Sequence, residues 1–126
     1  MVSRALYLSE NAMAHTCYRI TRTSKPTAED FLSYLALGRR PRQRDAASMR
    51  QAAGVSVFET EDQARTNARK YPHLGAYIVR LEIPDDAEIT IDPVHNKQTG
   101  HHNIYGEPAE MLRYVVPPIL PVEPTQ

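Results

Sequence analysis

The sequence predicts an α+β domain, with a mixed, mostly antiparallel sheet and two to three short helices. Three observations lead to this class: runs of alternating strand-forming residues, helix-cap signals before other segments, and late strands separated only by short turns. The 126 residues fit one domain, residues 1–126. Its proline-rich end, from about residue 117 to 126, is expected to be extended and flexible.

Strands are predicted at 17–22, 54–58, 75–83, 88–92, 111–116 and 119–122. In the first of these, Tyr18 and Ile20 share one face and Arg19 lies on the other. Burial of Tyr18 and Ile20 would turn Arg19 toward solvent or a cleft. Pro117 and Pro118 are expected to end the strand 111–116.

Helices are predicted on one side of the sheet, at 27–37, 46–53 and 61–70, with a further short one at 4–8. Thr27 and Asp30 form an acidic capping box, and Thr60 and Gln63 form a full one. Gly38 is expected to end the first of these helices.

The composition narrows the functional classes. The 15 basic and 15 acidic residues balance, so no overall charge drives the chain toward nucleic acid or an anionic membrane. No run reaches the roughly 18 to 20 apolar residues that span a bilayer, and the N-terminus does not have the pattern of a signal peptide. The single Cys17 forms no internal disulfide. These features predict a cytoplasmic bacterial protein without membrane association.

One segment, 100–110, packs together more groups able to move protons, bind metals or donate hydrogen bonds than any other segment, and we expect it to be a loop. His101 is a candidate general acid or base. Alternatively, the histidine side chains bond the backbone and hold the loop in shape. Metal binding would need Asp92, His95 or Glu107 as a partner, but no spacing here is typical of zinc, so no metal site is predicted.

The only charge run contains four arginines, Arg39, Arg40, Arg42 and Arg44. It is typical of a solvated basic linker. The alternative is a loop that contacts phosphate groups, in nucleic acid or in a nucleotide, because the guanidinium fork suits phosphate oxygens.

Two resemblances concern the whole chain. Its layout resembles a family of small uncharacterised bacterial proteins, on the segments 18–21, 30–33, 54–58, 74–78 and 100–108. It is also similar to the compact mono-ADP-ribosyltransferase fold. Arg19 matches the basic residue on that family's first strand, Ser56 the serine on a short strand before a helix, and Glu107 with Glu110 its late acidic pair. The chain has Val-Ser-Val where that family has Ser-Thr-Ser.

The second resemblance implies an enzyme that acts on NAD as substrate, with an unknown acceptor and no tightly bound cofactor. It implies that Arg19 and Ser56 bind NAD, and that Glu107 and Glu110 are catalytic. Beside the residues that the resemblance supplies, we expect Tyr105 in the NAD site and His101 as a catalytic acid or base. A carboxylate would stabilise the oxocarbenium-like centre and the arginine would neutralise the pyrophosphate. The hypothesis requires these side chains to converge on one cleft.

Two other functions remain open. The chain is alternatively a non-enzymatic binding or regulatory module that docks nucleic acid or an acidic partner through residues 39–44. A third possibility is a homodimer in which the edge strand 119–122 pairs with a second copy.

Overall fold

The computed structural model describes residues 14–123, so the helix predicted at 4–8 lies outside the described part. The strands are β1 His15–Thr21, β2 Val55–Phe58, β3 Tyr77–Ile83, β4 Thr90–Ile91, β5 His101–Tyr105 and β6 Val115–Pro121. The helices are α1 Ala46–Ala52, α2 Glu61–Lys70 and α3 Pro108–Arg113. Two 3-10 helices cover Ala28–Phe31 and Pro72–Leu74.

The six strands form one sheet in the order β4-β5-β2-β1-β3-β6, and every neighbouring pair is antiparallel. The predicted α+β class with a mostly antiparallel sheet is therefore confirmed, but the described strands form a wholly antiparallel sheet and not a mixed one. The longest pairing joins β1 to β3, from His15 opposite Ile83 to Thr21 opposite Tyr77. By contrast, β1 and β2 share a single register pair, Tyr18 opposite Phe58.

Apolar side chains are buried on both faces of the sheet. On the Cys17 face, strand residues pack against Phe31 of the first 3-10 helix and Met111 of α3. On the Ile20 face, Ile20 and its strand neighbours pack against Ala64 and Ala68 of α2. The expectation that the helices lie on one side is therefore wrong. Strands β1 and β3 carry apolar residues at both parities, so each face needs its own cover.

Two of the predicted helices, at 46–53 and 61–70, are present as α1 and α2. The capping boxes of Thr60 and Thr27 are both present, and Asp45 caps α1 by accepting a hydrogen bond from the amide of Ser48. The helix predicted at 27–37 is wrong, because only Ala28–Phe31 is helical. Phe31 is fully buried, and the following Leu32 turns to an extended conformation that ends the helix.

The segment 100–110 is not a loop. Its first half forms β5, which pairs with β2 from His101 opposite Phe58 to Ile104 opposite Val55. The chain enters β5 through Gly100, whose φ of 72° lies in the left-handed region that favours glycine.

The second half of that segment begins α3, with Glu107 at the N-cap and Pro108 in the first turn. The strand predicted at 111–116 is therefore wrong at its start, because a proline in the first turn of a helix needs no amide donor. The predicted break at Pro117–Pro118 is wrong as well. Strand β6 runs through both prolines, since it is an edge strand with one side unpaired.

Candidate functional site

A cleft of about 670 Å³ opens where the strands β1 and β2 separate. Ser56, Phe58 and His101 contribute to it from the Ile20 face, and two further residues come from β1. The others come from α1, α2, the second 3-10 helix and the connecting segments. It is lined by Arg19, Ile20, Leu32, Tyr34, Leu37, Arg39, Gln51, Gly54, Ser56, Phe58, Asn67, Tyr71, His73, Leu74, His95, Asn96, Thr99 and His101. This volume is typical of small-molecule and cofactor sites.

Arg19 holds the two separating strands together with its side chain. Its Nε donates a hydrogen bond to the carbonyl oxygen of Asp30 at 2.9 Å, and its Nη1 donates to the carbonyl oxygen of Ser56 at 2.8 Å. The guanidinium thus links β1 to β2 at a position where the two backbones no longer pair, because their only register pair is Tyr18 opposite Phe58. Burial lowers the pKa of Arg19 to about 10, although the negative charge of Asp30 opposes this shift. The side chain is therefore positively charged at neutral pH.

The charge of Arg19 is not neutralised by a salt bridge within residues 14–123. Both of its hydrogen-bond partners are uncharged carbonyl oxygens. No described residue that lines the cleft is acidic, whereas Arg39 and three histidines join Arg19 there. Asp30 lies near enough for its charge to raise the pKa of Arg19, but it forms no salt bridge with the guanidinium, so the buried charge is only partly offset and an anionic ligand would offset more of it. The cleft is therefore suited to an anion.

A chain of three polar side chains runs along the floor of the cleft. The Nε2 atom of His101 lies 2.9 Å from Oγ of Ser56, and its Nδ1 atom lies 2.9 Å from Nε2 of His95. Burial, followed by the nearby His95 and His102, lowers the pKa of His101 to about 4. The imidazole is therefore neutral at pH 7, with one ring nitrogen free to accept a proton.

Large apolar side chains are exposed around the cleft. Tyr34, Leu37, Tyr71 and Leu74 are the exposed large hydrophobic residues within the described part of the chain, with relative exposures of 44, 54, 42 and 39%. All four line this cleft. Exposed apolar side chains are usually scattered singly over a protein surface. The concentration of these four at one concave site therefore indicates a binding surface.

The basic run lies beside the cleft. Arg39 lines the cleft and lies 5.8 Å from the centre of the Tyr34 ring, within cation–π range. Arg42 lines an adjoining groove of about 490 Å³ that shares Tyr34, Ser56 and His101 with the cleft. Two of the four arginines thus belong to the same concave surface as Arg19.

Three of the predicted site residues, Arg19, Ser56 and His101, meet in the cleft. Glu107 and Glu110 do not line it, so the expected convergence of an acidic pair with Arg19 and Ser56 is absent. Glu110 accepts hydrogen bonds from the Tyr114 hydroxyl at 2.8 Å and from Arg113 at 2.9 Å. Glu107 is the N-cap residue of α3.

Tyr105 is also placed elsewhere. Its hydroxyl donates a hydrogen bond to Asp92 at 3.0 Å, and the guanidinium of Arg50 lies 4.3 Å from the centre of its ring. Arg50 in turn forms a salt bridge with Asp92 at 3.2 Å. These three residues fasten α1 to the β4–β5 edge of the sheet, which is a structural role.

Several residues of the cleft were not predicted from the sequence. Gln51 and Asn67 contribute amides from α1 and α2, and Tyr71 comes from the N-cap of the second 3-10 helix, which itself contributes His73 and Leu74. The only signal was local: Tyr71-Pro72-His73 ends a capped helix and places an aromatic residue and an imidazole where the chain turns. Nothing local indicates that this turn faces Ser56.

Comparisons with protein-family models, with curated proteins and with solved structures gave no match. Within residues 14–123, no helix has both the length and the apolar character needed to cross a membrane.

Proposed function

We propose that the cleft binds a nucleotide, and that this nucleotide is NAD, the substrate implied by the resemblance to ADP-ribosyltransferases. The observation that carries the proposal is Arg19, a largely buried guanidinium that forms no salt bridge with a carboxylate among the described residues. A pyrophosphate adds negative charge beside it and accepts charge-assisted hydrogen bonds.

The rest of the cleft supports a ligand that has both polar and flat apolar parts. Tyr34 and Tyr71 offer ring faces for a base, and the amides of Gln51 and Asn67 offer donors and acceptors for ribose or base atoms. Arg39 adds a second positive charge at the mouth of the cleft. A dinucleotide combines all these chemical groups in one molecule.

The transferase step is the second part of the proposal. It breaks the bond between nicotinamide and ribose, releases nicotinamide, and forms a bond between ADP-ribose and a hydroxyl of an acceptor that loses its proton. His101 is the group placed to accept that proton, because its imidazole is unprotonated at pH 7 and lies 2.9 Å from the Ser56 hydroxyl, although a pKa of about 4 makes it a weak base. No described residue that lines the cleft is acidic, so the carboxylate that the resemblance requires for this step is not found among residues 14–123, and we assign Glu107 and Glu110 no part in it.

The first prediction concerns Arg19. We expect Arg19→Gln to weaken NAD binding by about 10- to 100-fold, because it removes charge-assisted hydrogen bonds. Arg22→Gln is the matched control, since Arg22 lies next to the end of β1 but is exposed and does not line the cleft. Isothermal titration with NAD, ADP-ribose and ADP measures the affinities, and circular dichroism checks that both variants fold.

Equal losses in Arg19→Gln and Arg22→Gln would contradict the assignment of Arg19. The absence of binding by NAD, ADP-ribose and ADP to the unmodified protein would exclude the nucleotide proposal altogether. Release of nicotinamide from NAD, with loss in His101→Gln but not in Glu110→Gln, tests the transferase step separately.

One observation favours a second candidate function. Arg39, Arg40, Arg42 and Arg44 are all exposed, and none forms a salt bridge with another described residue. This run is therefore free to dock nucleic acid or an acidic partner without any enzymatic step. Replacing all four arginines by glutamine would abolish such binding, while NAD binding through Arg19 would decrease only in part.

A further inference from the structure

A second cluster of chemically active side chains lies on the Cys17 face, away from the proposed nucleotide site. His15 and Cys17 are two residues apart on β1 and therefore share that face. His102 on β5 lies on the same face, whereas its neighbour His101 points to the opposite one. One ligand atom from each of these three residues lies within 4.8 Å of the other two.

The two imidazoles face each other through their Nε2 atoms. These atoms lie 3.0 Å apart, and the ring planes are nearly perpendicular at 89°. On its other side, the Nδ1 atom of His102 lies 3.0 Å from the carbonyl oxygen of Gly100. A carbonyl oxygen only accepts hydrogen bonds, so Nδ1 carries the proton and the Nε2 atom of neutral His102 presents a lone pair.

This arrangement of His102 is the one that metal-binding histidines use. Such a histidine donates its second ring N–H to a carbonyl or carboxylate, which fixes the tautomer and the direction of the coordinating nitrogen. The Gly100 carbonyl is itself held in place, since it also accepts a hydrogen bond from the Glu59 amide at 3.1 Å. The direction of the His102 lone pair is therefore set by the entry into β5.

Two of the three side chains are shielded from solvent. Cys17 and His102 are fully buried at 0% exposure, whereas His15 remains partly exposed at the start of β1. Tetrahedral zinc with the usual bond lengths places two nitrogens roughly 3.3 Å apart, and a nitrogen and a sulfur roughly 3.6 Å apart. The nitrogens already lie near that separation, and since all three ligand atoms lie within 4.8 Å of one another, the sulfur needs to approach the nitrogens by at most about 1.2 Å.

We propose that His15, Cys17 and His102 form a binding site for Zn²⁺ or a chemically similar ion such as Co²⁺. Burial, followed by the charge of Glu82, raises the pKa of Cys17 to about 12, so Cys17 is a thiol without the ion and releases its proton to solvent when its sulfur bonds the ion. Two imidazoles and the resulting thiolate select such borderline-soft ions over Mg²⁺ and Ca²⁺, which prefer oxygen ligands. Three protein ligands leave one coordination position for water or another small ligand. This proposal does not depend on nucleotide binding, because none of the three side chains lines the cleft.

The test uses the full chain, treated with a chelator and kept reduced, and titrated with Co²⁺. We expect one ion per chain, a thiolate-to-cobalt charge-transfer absorption, loss of that band on adding Zn²⁺, and a higher melting temperature with Zn²⁺ but not with Mg²⁺. Cys17→Ser should remove the charge-transfer band, and His15→Gln should weaken Co²⁺ binding by at least about tenfold, since each removes one of three ligands.

The control distinguishes this cluster from the other histidine pair. His95→Gln combined with His101→Gln removes two imidazoles from the cleft and should leave Co²⁺ affinity and the charge-transfer band unchanged. The proposal is overturned if Co²⁺ does not bind, if it binds without the thiolate band, or if the control abolishes binding. Because His15 is partly exposed, His15→Gln keeps the test valid should Cys17→Ser fail to fold.

Discussion

His101 was predicted from the sequence to be a candidate general acid or base in a loop, and the structure places it in β5. It lies on a strand rather than in a loop, and its imidazole joins Ser56 to His95 on the floor of the cleft. The adjacent His102 serves the opposite face of the sheet. The two histidines therefore take part in separate sites, and the alternation of a strand is the reason.

The position of His101 predicts acid sensitivity. Its pKa falls from 6.5 to about 4 on folding, so the unfolded chain binds more protons between these values. The stability due to neutral His101 is complete above pH 6.5 and is lost as the pH falls toward 4. The shift corresponds to at most about 3 kcal/mol, and partial exposure reduces this to about 1–2 kcal/mol of unfolding free energy.

Urea unfolding at pH 7 and at acidic pH measures this effect, and His101→Gln should lose less stability on acidification than the unmodified protein. His15 retains part of the effect in that variant, because burial followed by His102 also lowers the pKa of His15. His73→Gln is the control, since His73 is exposed, and it should keep the full dependence. Identical acid sensitivity in the His101 and His73 variants would contradict the role given to His101.

Among the elements, α2 is the one whose start and end follow most directly from local sequence. Thr60 accepts a hydrogen bond from the Gln63 amide at 3.2 Å, and the Gln63 side chain accepts one from the Thr60 amide at 3.0 Å. Two amides at the helix start are thereby satisfied without tertiary contacts. Ala64 and Ala68 then allow α2 to lie close to the Ile20 face.

We expect Thr60→Ala to lower the free energy of unfolding by about 1 kcal/mol, because it removes the N-cap acceptor. Thr66→Ala on the same helix is exposed and is the matched control, which should be neutral or slightly stabilising because alanine favours helices. Chemical denaturation monitored by circular dichroism compares the two variants. A Thr60→Ala protein as stable as Thr66→Ala would show that the cap contributes nothing here.

The β1–β2 pair is the element-scale feature that forms the site. Two strands that stayed paired along their length would leave no space for a guanidinium between them. Here the pairing stops at Tyr18 and Phe58, and Arg19 bonds the Ser56 carbonyl instead. The cleft therefore begins where the backbone ladder ends.

For the whole molecule, the balance of charge is less informative than its distribution. The chain has 15 basic and 15 acidic residues, yet the described lining of the cleft includes arginine and histidine and no acidic residue. Compensating carboxylates lie elsewhere, for example in the salt bridges of Arg65 with Glu61 and of Arg69 with Glu123. The molecule thus has a local basic field without net charge.

This distribution predicts that salt weakens binding of anionic nucleotides. Raising ionic strength from about 0.05 M to about 0.5 M should lower the affinity for NAD by about tenfold, because exposed charges such as Arg39 are screened. The affinity for adenosine, which carries no phosphate, should change little. Isothermal titration at both salt concentrations checks this, and equal salt dependence for the two ligands would contradict an electrostatic role of the cleft.

The homodimer through residues 119–122 remains a prediction at this scale. These residues belong to β6 or follow it directly, and β6 is an edge of the sheet. The strand contains Pro117, Pro118 and Pro121, which lack amide donors and so make this edge a poor template for another strand.

The sequence alone determined the features that depend on neighbouring residues. The α+β class, the caps of Thr27 and Thr60, and β3, predicted at 75–83 and observed at Tyr77–Ile83, all followed from patterns within a few residues. The opposite directions of His101 and His102 were predictable in the same way, because strand alternation is a local property.

Only the tertiary structure decided which distant residues meet. Strand β5 was predicted to be a loop because its side chains are mostly polar. Its backbone pairs with β2, which lies more than forty residues earlier in the sequence. Arg19 reaches Ser56 and Asp30, and His102 reaches His15, through long-range pairing that no local pattern encodes. Glu107 and Glu110 looked suitable by type and order, but helix formation at Pro108 placed them outside the cleft. Residue types predict which chemical groups the chain contains. The pairing of strands that are distant in sequence decides which of these groups come together in one site.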